Sequence, residues 1–578
     1  MSIPGMILLA LYAVLACFFL LLWRTAWTGL LFYALLLCLC AWLFARQKTF
    51  LQKAPVILLL FIDLAGAILI GRPKTEPVKA YAGKQPVYTE TVTLDDGDVQ
   101  GVLNADKTVE IFAGIPYAAP PVGDLRWRKP QDPEPWHDVR KCDTFAPMAM
   151  QVLNPPLISS LSELIGYHDW HPTLTPTLQP VSEDCLYVNV WKPAGHVEKA
   201  PVLVYIHGGS QQTGQPWYAD YSGEGLAEEG LVVVNMGYRL GVFGFLADEE
   251  LMAESGTTGN YGLLDQIKAL EWVRDHIAAF GGDPDNVTLA GESAGSACVS
   301  ALCVSPLAKG LFVRAIGESS SLASIEPPHS FRSLEEGYAS AEKLKEKYGV
   351  SSVEDLRRLD GKTIVSAMDS EHHICVDGYV LERMPYESDR DGQCNQTALL
   401  HGYNKNESAA FLVFGHASKK DYRQRIERYF KDYADEVMEL YPGETDEQAK
   451  ENWAIIYGAV FFDYPHYCWQ RAMIHNNIPV YEYLFTKENG RLGNWHSGEE
   501  VYFYGNIPER SKLYDESDRA LSKQMVQAFV SFCSTGDPGF AGNTAGQVYE
   551  FGEQTGLIDE PHQDLYAILD RMYGWNLW

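Results

Sequence analysis

Positive charge is scarce in this chain: its 578 residues carry 46 Lys and Arg against 75 Asp and Glu, a formal net charge of −29. Nucleic-acid binding needs a basic footprint, so that class of function is excluded first. The chain also lacks internal repeats and low-complexity tracts, and no CxxC or HExxH motif occurs in it. The usual short metal-binding signals are therefore missing, and no metal or cofactor is expected. Its eleven cysteines show no framework spacing, so no disulfide scaffold is implied. Unpaired thiols fit a reducing compartment. A mean hydropathy of −0.14 is too low for a polytopic transporter throughout. With 47% hydrophobic and 21% charged residues, the chain is not disordered either.

Charge is absent altogether from residues 1–23, and apolar runs occupy about 4–23, 27–45 and 55–71. Each run approaches the roughly 20 residues that a helix needs to cross the hydrocarbon layer. A cleaved signal peptide would need a basic start and a single apolar stretch, whereas MSIPGM is uncharged and further runs follow. The pattern predicts three transmembrane helices in residues 1–72, a linker in 73–86 and a large domain in 87–578. The predicted partner of residues 4–71 is the lipid bilayer, and the predicted location is a multi-pass place in the cell membrane. Trp23, Trp27 and Trp42 stand near the span ends, as an aromatic belt would require. Residues 1–75 hold six basic groups and one acid, a balance of +5 that leaves −34 for the rest. Arg24, Arg72, Lys74, Lys79 and Lys84 on one side outnumber Arg46, Lys48 and Lys53 on the other, which leans towards a cytoplasmic domain. Asp63 falls within the third run, where an ionisable group is either functional or a hydrogen-bonding aid to helix association.

Beyond the linker, short apolar runs alternate with helical patterns. VLVYI (202–206), LVVVN (231–235), VTLA (287–290), FVRAI (312–316) and VYEYLF (480–485) read as strands buried on both faces. GLLDQIKALEWVRDHIAAFGG (262–282) places Leu263, Ile267, Leu270, Val273, Ile277 and Phe280 at helical spacing and stops at Gly281-Gly282. The alternation predicts an α/β fold with a mostly parallel central sheet and functional loops at the carboxyl ends of its strands.

One such end reads VTLAGESAGSACVSAL, with Gly291-Glu292-Ser293-Ala294-Gly295 between a strand and a helix. A G-x-S-x-G in that context is a sharp turn that lifts a serine hydroxyl into a cleft. The helix N-terminus behind Ser293 favours developing negative charge. Upstream, His207-Gly208-Gly209 closes another strand, where small residues let backbone N–H groups approach an oxyanion. Gly209, Ser210 and Ala294 are the predicted donors, with Gly208 shaping the loop.

The large domain resembles the type-B carboxylesterases, the cholinesterase-like (para-nitrobenzyl-esterase-like) branch of the α/β-hydrolases. The matching stretches include FAGIPYAAPPVGDLRWRKP (112–130), SEDCLYVNVW (182–191), NMGYRLGVFGFL (235–246), FGGDPDNVTLAGESAG (280–295) and VDGYVLERMP (376–385). The resemblance implies an α/β-hydrolase fold and a serine esterase acting through an acyl-enzyme. It points to Ser293 as nucleophile, His496 in NWHSGEEVYFYGN as base and Glu407 in NKNES as the acid that orients it. Asp377 matches a structural D-G-x-x-L element of the family and is the poorer rival for the acid. Glu292 resembles the family's acidic neighbour of the nucleophile and is read as site-shaping, with a plain ion-pair role as the alternative.

The chain departs from the family in places. The segment FAPMAMQ (145–151) has Met148, Ala149 and Met150 where relatives place a cysteine partner for Cys185, and Cys142 lies seven positions away. Ser210 and Gln211 replace a commoner small-then-aromatic pair. Trp170 is offset from the family's cation-binding tryptophan, while Trp217, Tyr218 and Trp495 are candidates to line the cleft. His168, His171, His372 and His373 carry no accompanying metal motif. The expected partner is a small-molecule ester. Two other readings remain open at this point: a non-catalytic, membrane-tethered binding protein, and a lipase acting on membrane lipids, with 426–441 covering its mouth.

Overall fold

Apolar runs flanked by turn residues become the strands of one thirteen-stranded mixed sheet. In chain order its main members are β1 (Tyr88–Leu94), β2 (Gly97–Leu103), β3 (Val109–Pro116), β4 (Tyr187–Pro193), β5 (Ala200–Ile206) and β6 (Val232–Met236). The remainder are β7 (Gly282–Glu292), β8 (Arg314–Glu318), β9 (Leu399–Asn404), β10 (Val480–Phe485), β11 (Gln547–Phe551) and β12 (Gly556–Asp559). The spatial order is β1-β2-β3-β4-β6-β5-β7-β8-β9-β10-β11-β12. From β6 to β11 neighbours are parallel, whereas β1 to β4 and β12 add antiparallel edges. This computed structural model describes residues 3–47, 50–165, 177–365, 372–413, 415–488, 494–509, 511–542 and 546–575.

Alternation within β5 shows why these runs need apolar residues at every position. Val202, Val204 and Ile206 pack into one hydrophobic cluster, while Leu203 and Tyr205 pack into the other on the opposite face. The chain goes from β5 to β6 on one side and then crosses to β7 on the other side of β5. The carboxyl end of β5 is therefore a topological switch point, the place where open α/β sheets form a crevice.

Residues 78–152 and 181–578, which include this sheet, form one compact unit, and residues 1–77 with 153–180 form a second. The second holds α1 (Ile3–Leu22), α2 (Trp27–Arg46), α3 (Phe50–Ile70) and α4 (Pro156–Ile165). Within it Arg24 donates to Ser160 at 3.3 Å, and Lys74–Thr75, in the stretch expected as a linker, pairs in parallel with Thr177–Leu178. Helices form over all three apolar runs, but among the described residues only α2 is long and apolar enough to cross a membrane. The apolar parts of α1 and α3 are shorter, Ala10–Leu22 and Ala54–Ile70. The expected three-span, multi-pass segment is thus corrected to one span-competent helix, because a shorter apolar stretch falls below the thickness of the hydrocarbon core. Asp63 is buried, and neither of its carboxylate oxygens has a hydrogen-bond partner.

Candidate active site

At the end of β7 the backbone turns sharply into α6 (Ala294–Val304), numbered after α5 (Tyr261–His276). Ser293 occupies this turn with φ +54° and ψ −125°, a conformation that L-residues rarely adopt. The glycines are dictated by contact. A Cβ on Gly295 would lie 2.0 Å from the carbonyl oxygen of Ile206 at the end of β5. One on Gly208 would lie 2.8 Å from Glu292 Oε2 and 3.0 Å from Ser293 Cβ, which puts the His207-Gly208-Gly209 loop directly against the elbow.

His496, buried and reached by the chain after β10, places Nε2 2.8 Å from Ser293 Oγ. Its Nδ1 donates to Glu407 Oε2 at 2.5 Å. Glu407 starts the helical turn just after β9 and is 1% exposed. Its other oxygen accepts from Ser319 Oγ at 2.6 Å and from the Asn404 backbone N–H at 2.7 Å. These bonds fix the direction of the carboxylate. The imidazole is walled by the rings of Phe411 and Phe462, at centroid distances of 5.0 and 4.9 Å. Phe462 lies in a π-helical turn, Ala459–Asp463, between α7 (Asp446–Gly458) and α8 (Tyr464–His475).

Behind this relay lies a buried set of carboxyl groups. Burial, then the charges of Glu500 and Glu499, holds the Glu292 carboxyl well above the usual range, while the hydroxyl of Ser497 pulls the other way. Burial raises Glu318, Glu499 and Glu500 as well. Glu500 accepts from Tyr205, Glu499 from Ser319 and Asn404, and Glu318 from Tyr504. Burial also lowers His207 to about 4, so its ring is neutral at the head of the loop.

The loop itself is clamped on several sides. Gln151 brackets Gly214, donating to its carbonyl at 2.7 Å and accepting from its N–H at 3.1 Å. Gln211 pairs with His373 Nδ1 at 3.0 Å, and its carbonyl accepts from the Gly241 N–H at 2.6 Å. His373 thus serves the loop, and Gln212 donates to the carbonyl of its neighbour His372 at 3.0 Å. Among the described residues no group of three or more His, Cys, Asp or Glu is arranged to hold a metal ion. His168, Trp170 and His171 lie outside the described residues. Asp377 accepts from Thr257 and from the backbone N–H groups of Val380 and Leu381, as a turn-forming aspartate does. Trp217 is buried and stacks on Phe145, and Tyr218 is 40% exposed. Cys142 and Cys185 are both buried and free.

Sequence reasoning missed Ser319, Ser497, Glu499, Glu500, Phe411 and Phe462 as parts of the site. The Glu499-Glu500 doublet three positions after His496 was an available signal, since neighbouring acids beside a catalytic histidine shape its charge. Ser319 had a weaker one: it follows a parallel strand, where functional residues collect. Phe411 and Phe462 arrive from separate elements and carry no local mark.

A sheet of this order, with a serine elbow, a glycine loop and a histidine at adjoining strand ends, defines an α/β-hydrolase. The carboxylesterase family model matches residues 88–556, and the chain belongs to that family. It is similar to the fumonisin B1 esterase of Sphingopyxis macrogoltabida, 32% identical over 80% of this chain and 86% of the relative. The para-nitrobenzyl esterase of Bacillus subtilis is 31% identical over 78% of this chain and 90% of the relative. The mouse (Mus musculus) cholinesterase is also 31% identical, over 78% and 80%. A solved PNB esterase superposes with a TM-score of 0.69 at 28% identity, covering 83% of this chain and 99% of its own. The chain is accordingly a carboxylic ester hydrolase acting on small-molecule esters.

Proposed function

We propose that the protein hydrolyses carboxylic esters through an acyl-enzyme, with Ser293 as nucleophile, His496 as general base and acid, and Glu407 as the carboxylate that orients the imidazole. The unbroken hydrogen-bonded relay from Ser293 Oγ through both nitrogens of His496 to Glu407 carries this reading. His496 takes the hydroxyl proton as Oγ bonds to the carbonyl carbon, and the carbonyl electrons move to an oxyanion. The backbone N–H groups of Gly209, Ser210 and Ala294 receive that oxyanion, with Gly208 allowing the loop to approach. The carbon–alcohol oxygen bond then breaks and the Nε2 proton passes to the departing alcohol. Water repeats the sequence to release the acid.

Replacing Ser293 with Ala is expected to lower turnover of p-nitrophenyl acetate by about 10⁶, the scale of a lost triad serine. Wild-type-like hydrolysis by that variant would end the assignment. An inactive parent protein that resists organophosphate labelling would favour a binding role instead.

We propose further that the amino-terminal segment tethers this enzyme to a bilayer through α2, and that the compact unit of residues 78–152 and 181–578 is the catalytic domain. The length and apolar composition of Trp27–Arg46 support the tether.

A further inference from the structure

Ser497, the residue after His496, adopts φ +68° with an ordinary L side chain. Such strain persists only where the surroundings enforce it, and it collects at functional sites. The conformation aims Oγ at Glu292: it donates to Oε1 at 2.5 Å. That same Oε1 lies 3.3 Å from His496 Nε2, which is itself 2.8 Å from Ser293 Oγ. The imidazole nitrogen that exchanges the proton therefore has a serine oxygen on one side and a carboxyl oxygen on the other.

We propose that Ser497 is a positioning residue that holds Glu292 Oε1 as a second acceptor for the Nε2 proton of His496. The inference rests on the triad reading above. In the resting site Nε2 accepts from the Ser293 hydroxyl. Once Oγ has bonded to the carbonyl carbon, the proton sits on Nε2 and the ring is a cation. It then needs an acceptor until the alcohol oxygen takes the proton. Glu292 Oε1 supplies that acceptor and gains no proton itself, so every transfer still runs from Ser293 to Nε2 to the alcohol.

The surroundings explain why the hydroxyl matters. Glu407 faces the other nitrogen of the ring, Glu499 and Glu500 follow on the same stretch of chain, and Glu318 ends β8. His329 comes from the loop after β8 and is held neutral by burial. Among these carboxyl groups protons settle where the charge is least supported. A hydroxyl donated to Oε1 supports charge on Glu292, beside the ring that must become positive, and opposes part of the burial that raises its carboxyl.

The test compares three variants of the full-length protein. Ser497→Gly removes the hydroxyl and accepts φ +68° without strain, Ser497→Ala removes the hydroxyl and keeps the strain, and Ser497→Asn tolerates the conformation and restores a donor. With p-nitrophenyl acetate, kcat/KM is expected to fall about tenfold in both Gly and Ala variants and to recover in the Asn variant. The acid limb of the kcat/KM profile should also move to lower pH in the first two, because the imidazolium has lost part of its support. The melting temperature of the Gly variant should not fall, because its backbone is relieved. A Gly variant with unchanged rate and limb overturns the proposal, as does a lost rate with an unmoved limb and a lowered melting temperature. Either result leaves the triad standing. Full turnover in Ser293→Ala removes the triad itself, and the role of Ser497 with it.

Discussion

Ser210, Gln211, Ser293, Ser319 and Ser497 are non-glycine residues with positive φ, and all five belong to one site. At these positions backbone strain is held where side chains must be aimed at a few atoms, and the sheet around the site supports it. A different kind of cost appears at Asp389. Its side chain is buried, neither oxygen has a hydrogen-bond partner, and burial pushes its carboxyl up to about 8. The folded protein keeps a proton on this group up to that pH, whereas the unfolded chain loses it near the ordinary value of about 4. Between those values the folded state binds the extra proton, so the group's contribution to stability declines as pH rises. Asp389→Asn is therefore expected to stabilise the protein by about 1–3 kcal/mol at pH 8, with the gain fading towards pH 4. Denaturant melts at the two pH values check this, and an equal gain at both would contradict it. Nothing in the sequence around Asp389 marks it, because its isolation is created by the helices packed over it.

The elements that matter most are a loop and a turn. Gly208 sits so close to Glu292 and Ser293 that any side chain must displace backbone, since a Cβ would meet the Glu292 carbonyl oxygen at 2.7 Å. Gly208→Ala should lower kcat/KM by about 10² through the misplaced oxyanion donors, with KM little changed. The π-helical turn at Ala459–Asp463 sets Phe462 against the imidazole. Phe462→Ala opens a cavity beside His496 and is expected to cost about 3 kcal/mol of stability by thermal denaturation, with Phe462→Leu costing clearly less. Equal losses in the two would mean that packing volume is not what the ring contributes. The strands themselves were legible: each of the five apolar runs falls on a strand of the sheet, because burial on both faces leaves no polar position to confuse the period. The helix read at 262–282 is α5 and a short 3-10 turn, closed at Gly281 with φ +85°. The stretch 426–441, read as one cover, is split between Lys419–Phe430 and Ala434–Leu440 by Lys431 at φ +50°. A single strained lysine and a π turn leave no periodic trace.

For the whole molecule, the uneven charge matters most. A +5 amino-terminal portion is joined to a strongly acidic enzyme, which disfavours strongly anionic substrates near the cleft. The tether predicts a partition. Alkaline carbonate should leave the full-length protein in the membrane pellet and detergent should release it. Leu35, 66% exposed on α2, offers a direct probe. Leu35→Arg places a charge worth about 2.5–3.5 kcal/mol against insertion at mid-helix and should move protein into the carbonate-soluble fraction. No change in partition on that substitution would argue against α2 as the span.

By itself the sequence determined the parallel core of the sheet, the elbow at Ser293 and the glycine loop at His207–Gly209, because each depends on local rules: apolar runs buried on both faces, a strand-to-helix turn, and small residues where backbones meet. Family resemblance in the flanking motifs singled out His496 and Glu407 among many candidates. Only the tertiary structure decided which groups gather around the imidazole and its acid partner. Ser319 is the residue after β8, Phe411 comes from the turn after β9, Phe462 from a π turn and Ser497 from the chain beyond β10, so no spacing relates them. Their meeting follows from parallel strands delivering separate loops to one edge of the sheet, and burial there turns ordinary serines and glutamates into a site.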